Sequence, residues 1–142
     1  MRYGSLRPVI SSASQSASRW RLGGALAQIS AKRAPVGTTF KFSINEAASV
    51  TFSFVQTVTG RKVGKVCGRQ TKKNRRKPAC KLSVPAGTLT FSAHAGVNTV
   101  RFAGRISSSK KLKRGSYVVG IRARNAQGKR STPKLLSFTI VK

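Results

Sequence analysis

The stretch Thr38-Thr39-Phe40-Lys41-Phe42-Ser43-Ile44-Asn45-Glu46-Ala47-Ala48-Ser49-Val50-Thr51-Phe52-Ser53-Phe54 decides the fold class. Phe40, Phe42 and Ile44 alternate with Thr39, Lys41 and Ser43, and Val50, Phe52 and Phe54 alternate with Thr51 and Ser53. A period of two sends successive side chains to opposite faces, so each half reads as a strand with one buried face. Asn45 to Ala48 breaks the run as a turn.

Working outward, the same period recurs. Val58 extends the second strand, with Gln56 the one polar residue on its inward face. Leu89 and Phe91 continue the style, followed by a turn near Ala95-Gly96. Val100 and Phe102 form the next inward pair. Tyr117, Val119, Ile121 and Ala123 alternate with Val118, Gly120, Arg122 and Arg124, and Leu136, Phe138 and Ile140 make a last strand. Shorter runs lie at Lys62–Val66 and Lys81–Val84. These segments predict an all-β fold, an antiparallel β-sandwich of seven to eight strands. Strand number alone leaves an SH3-like or OB barrel as the alternative.

Residues 1–36 lack this period. Ser11-Ser12-Ala13-Ser14-Gln15-Ser16-Ala17-Ser18 is low in complexity, and Gly23, Gly24 and Pro35 punctuate the residues after it. Leu22 to Ile29 offers two helical turns, too short to stand alone. Tyr3 and Trp20 are isolated aromatics there. The expected organisation is therefore a poorly ordered linker or tail over residues 1–36 and one β domain over residues 37–142.

The chain holds 29 Lys and Arg against one acid, Glu46, for a net charge of +28. Such cations repel one another or find anions on a partner. The hydrophobic fraction of 39% still suffices for a core. Ten cations crowd residues 61–81: Arg61, Lys62, Lys65, Arg69, Lys72, Lys73, Arg75, Arg76, Lys77 and Lys81. Arg69, Lys72, Lys73, Arg75, Arg76 and Lys77 are the candidate contacts to a polyanion, an anionic cell-surface polymer or a nucleic acid. A solvated loop without a ligand is the plain reading of the same residues. No aromatic interleaves them, so there is no stacking platform for single strands. Lys110, Lys111, Lys113 and Arg114 form a second basic group, either beside the first or at the far end of the domain.

Cys67 and Cys80 bracket that basic stretch. In an oxidising compartment they close a loop worth about 3 kcal/mol, and in the cytosol they stay thiols. His94 and Glu46 are the only His and the only acid, so a four-ligand metal shell is hard to fill. The same inventory argues against an enzyme. Carboxylate acid–base chemistry usually takes two acids, and the chain has no nucleophile-elbow, phosphate-cradling or dinucleotide motif. No cofactor is expected. No apolar run approaches the roughly 20 residues of a membrane span. Met1–Arg7 is basic, but Pro8–Ser18 lacks the apolar core of a secretion signal.

Three stretches carry a family resemblance. Gly37 to Phe52, with its Glu46-Ala47-Ala48 turn into Val50-Thr51-Phe52, resembles the opening hairpin of fibronectin type III-like and immunoglobulin-like modules in secreted or cell-surface bacterial proteins. Leu112-Lys113-Arg114-Gly115-Ser116-Tyr117 is similar to their Leu-x-Pro-Gly-x-Tyr entry into a late strand, with Arg114 in place of Pro. Ala123-Arg124-Asn125-Ala126-Gln127-Gly128-Lys129-Arg130-Ser131 is similar to their Ala-x-Asp-x-x-Gly-Asn-x-Ser turn, with Asn125 for Asp and Lys129 for Asn. The resemblance implies a non-catalytic structural or adhesion module outside the cell, at the C-terminal part of a larger protein. It also implies a disulfide in the basic loop. The competing expectation is a small basic nucleic-acid-binding protein of ribosomal or nucleoid type in the cytoplasm.

Overall fold

The computed structural model describes residues 7–23 and 34–142. Within them lie nine strands and no helix: β1 (Ile10–Gln15), β2 (Arg19–Arg21), β3 (Thr38–Ile44), β4 (Ala48–Val63), β5 (Val66–Gly68), β6 (Ala79–Ala93), β7 (Gly96–Phe102), β8 (Gly115–Arg124) and β9 (Lys134–Val141). One sheet has the order β1-β3-β7, and the other runs β2-β9-β8-β4, with β6 and β5 both paired to β4. All pairings are antiparallel except β2 on β9, which is parallel.

The alternation seen in the sequence explains which side each strand buries. Phe40, Phe42 and Ile44 of β3 face Val50, Phe52 and Phe54 of β4 across one core, and all six are essentially inaccessible. Aromatic rings bridge the two sheets: Phe40 to Phe52 at 5.4 Å, and Phe54 stacked on Phe102 at 4.8 Å between centroids. Buried aromatics of this size supply the largest apolar areas in a small core.

The opening pair of strands is not a hairpin. β3 pairs with β1 and β7, whereas β4 pairs with β5, β6 and β8. The Asn45-Glu46-Ala47 link is therefore a corner that carries the chain from one sheet to the other. Hairpin and corner use the same turn residues, and only pairing partners far along the chain tell them apart.

Residues 7–23, expected as part of a poorly ordered tail over residues 1–36, are instead built into the sheets. They serve both sheets: β1 pairs along β3, and β2 closes the other sheet against β9. Thr38 holds the crossing between them. Its hydroxyl donates to the Ala17 carbonyl at 2.9 Å and accepts from the Ala17 amide at 3.1 Å. Trp20 is wholly buried, stacked on Phe138 at 5.2 Å and edge-on to Phe102 at 5.7 Å. Leu22 packs against this core. Tyr3 and most of the Leu22–Ile29 stretch lie outside the described residues.

Two shorter expectations merge. The runs at Lys81–Val84 and Leu89–Phe91 are one strand, β6, with a register shift opposite Phe54/Val55. The run at Lys62–Val66 is split by a two-residue turn, Gly64-Lys65, with Gly64 at φ 65°. Positive φ at the first central residue and not the second is the type II′ pattern that suits a twisted hairpin.

At the start of β8, the Tyr117 hydroxyl donates to the Lys113 carbonyl at 2.6 Å. Tyr117 is itself buried and stacked on Phe138. Burial pushes its phenol above the ordinary value near 10. As pH rises past 10 the unfolded chain releases this proton before the folded one does, so the folded state loses stability there; below that range the contribution is complete. Tyr117→Phe should cost about 1 kcal/mol at neutral pH for the lost hydrogen bond. Its stability deficit should then shrink above pH 10 in urea titrations. A deficit constant from pH 7 to 11 would contradict this reading of the phenol.

Candidate polyanion-binding ribbon

β4 and β6 are the longest strands, 16 and 15 residues, paired from Ala48–Ala93 to Arg61–Ala79. β8 accompanies β4 only as far as Thr57, opposite Ser116. The last six residues of β4 and the start of β6 therefore run on beyond the sheet, a projection of about 20 Å at 3.3 Å per residue. β5 occupies the edge that β8 vacates, through Arg61–Gly68, Lys62–Cys67 and Val63–Val66.

Cys67 and Cys80 form a disulfide with their Cα atoms 6.1 Å apart. Free thiols and a metal pair, the other options open to the sequence, give way to this bridge. The two cysteines lie on opposite edges of β4, which in a flat sheet are roughly 9–10 Å apart. The ribbon must curl so that they meet over the strand between them. Gly60 is that crossing point. It is buried, and a Cβ there would stand 2.5 Å from the Gly68 carbonyl oxygen and 2.9 Å from Cys67 Sγ. Gly60→Ala should consequently leave free thiols after oxidative folding, counted by thiol titration. A fully bridged Ala variant would show that the ribbon has slack to spare.

The loop from Arg69 to Pro78 is tied at its base and braced inside. Thr71 and Asn74 exchange bonds: the Thr71 amide donates to Asn74 Oδ1 at 2.7 Å, and the Asn74 amide donates to Thr71 Oγ1 at 3.3 Å. This is the reciprocal arrangement of a capping box, here starting a single turn. Asn74 Nδ2 also donates to the Arg69 carbonyl at 2.9 Å. Arg61 on β4 spans the loop, with Nε on Gln70 Oε1 at 3.0 Å and Nη1 on the Lys77 carbonyl at 3.1 Å. One of the ten cations is thus an organiser of the loop.

The six candidate residues, Arg69, Lys72, Lys73, Arg75, Arg76 and Lys77, all lie exposed on this loop. Of the second basic group, Lys110, Lys111, Lys113 and Arg114, it is Arg114 that the structure ties to the place where the ribbon leaves the sheet. Gln56 Nε2 donates to the Arg114 carbonyl at 3.4 Å, and Ser116 pairs with Thr57. Glu46 sits at the other end of β4, about 50 Å away at 3.3 Å per residue. That is several times the roughly 8 Å screening length of physiological salt, so the acid does nothing to neutralise the tip.

Sequence reading missed two parts of this site. The Gly60 crossing needs the pairing register to be seen. The Thr71-x-x-Asn74 brace was in principle legible as a capping signal. Among the described residues no three His, Cys, Asp or Glu side chains come together as a metal site, and no helix is long and apolar enough to cross a membrane. The geometry defines an all-β protein that presents a cationic, disulfide-tied ribbon. No protein-family model and no curated protein matches the chain.

Proposed function

We propose that this chain is a non-catalytic β-sandwich module of the immunoglobulin-like or fibronectin type III-like kind, acting outside the cell, which holds an anionic polymer through its ribbon. The reading of the ribbon rests on one observation: ten cations on a projection that a disulfide and Arg61 hold in shape. Bracing the backbone lowers the ordering cost of binding, while exposed Lys and Arg side chains neutralise a polymer's charge. The module assignment is supported by two sheets sharing one core and by the Tyr117 hydroxyl bonded to the backbone four residues upstream, as in a tyrosine corner. The disulfide supports an oxidising compartment.

Duplex nucleic acid is the second reading, favoured by the ribbon form itself, since paired strands do enter DNA grooves. Binding to heparin, a teichoic-acid-like polymer and duplex DNA, each at low and physiological salt, separates the two. Comparable, salt-sensitive affinity for all three supports the general polyanion reading. Tight binding to one nucleic-acid sequence that survives physiological salt would replace it with the second.

A further inference from the structure

Away from the ribbon, the outward face of the larger sheet carries a groove. Its floor centres on Gly120, in the middle of β8. A glycine within a strand lacks a side chain to pack and weakens the sheet, and it often marks a bulge or a close approach. Neither backbone cause applies here. Gly120 is not among the residues with positive φ, and pairing with β4 runs without a register shift from Ser49–Arg124 to Thr57–Ser116. A Cβ would meet only Leu135 Cδ2, at 3.4 Å, the movable end of a side chain. What the glycine does is keep the groove open.

Val55, Val118, Leu135 and Pro133 give the groove apolar walls, and its volume is about 510 Å3. That lies within the roughly 300–1,000 Å3 of small-molecule sites. Arg122, Arg124 and Arg130 line the same groove. Going along β8, Val118 and Gly120 come first, then Arg122 and Arg124, so the groove has an apolar end and a cationic end. The span from Val118 to Arg122 is about 13 Å. The backbone of the cationic end is fixed in place. Arg130 and Arg124 share an isolated antiparallel β-bridge, and the turn between them is held by Asn125 Oδ1, which accepts from the Gln127 and Lys129 amides at 3.1 and 2.9 Å. A neighbouring hollow adds Arg7 and Lys129.

We propose that this groove is a binding site for a single-chain anionic amphiphile, its alkyl chain over Gly120 and its carboxylate at the three guanidinium groups. Charge complementarity selects the head group, and the apolar floor selects the tail. The site is independent of the ribbon and of the polyanion it holds.

The test uses decanoate below its micelle concentration, followed by amide shifts in the full oxidised chain. Saturable shifts at Val55, Gly120 and Leu135 are expected. Gly120→Leu should weaken decanoate binding at least tenfold while heparin binding stays unchanged. The paired exposed replacement Arg122→Ser with Arg130→Ser should do the same to decanoate, which guards against a misfolded Gly120 variant. Decanol should bind at least tenfold more weakly than decanoate. Shifts spread over the ribbon cations, equal binding of decanol, or undiminished affinity in both variants would each overturn the assignment.

Discussion

A chain beginning at Ala34 will fail to reach the native fold, and Trp20→Ala in the full chain will lose about 3–5 kcal/mol of stability. The truncation removes β1 and β2 together, and with them the ring that fills the space between Phe102 and Phe138. It also leaves the buried Thr38 hydroxyl without its partners at Ala17. Trp20→Phe should cost much less. It keeps most of the ring contacts and removes an indole N–H that is buried with no hydrogen-bond partner among the described residues. Urea unfolding followed by far-UV circular dichroism gives all three values. Native-like stability of the truncated chain would mean that the first two strands add nothing to the core.

The N-terminal strands show where sequence reading stops. In β3, β4, β8 and β9 large apolar residues alternate with polar ones, so their buried faces were legible directly. β1 reads Ile-Ser-Ser-Ala-Ser-Gln and has only Ile10 fully buried. Small polar residues on an edge strand carry almost no periodic signal, and its place comes from backbone pairing with β3. β2 is three residues long, and only Trp20 marks it. A single aromatic has no period at all. The candidate cations were legible as a charge run, because charge needs no register. That Arg114 joins the ribbon's base was not, since it depends on Ser116 pairing with Thr57.

The second large effect concerns binding. Each cation that neutralises a phosphate of duplex DNA steepens the dependence of log affinity on log salt by about 0.9. Replacing Lys72, Lys73, Arg75, Arg76 and Lys77 with Ser removes five such groups from a loop whose bracing runs through Thr71, Asn74 and Arg61. The fold should keep its stability or gain slightly as like-charge repulsion falls. At low salt the affinity for duplex DNA should drop at least a hundredfold. The control replaces Lys110, Lys111, Lys113 and Arg114 with Ser, a group that meets the ribbon only at its base through Arg114, and should lose less.

The salt slope of binding to a duplex of mixed sequence, measured side by side for the natural chain and these two variants, tests the ribbon most directly. The ribbon reading expects the five-residue variant to lie about three to five units shallower than the natural chain, with the base variant in between. Equal slopes for all three chains would place the polyanion contacts elsewhere on this +28 surface and contradict a function centred on the ribbon.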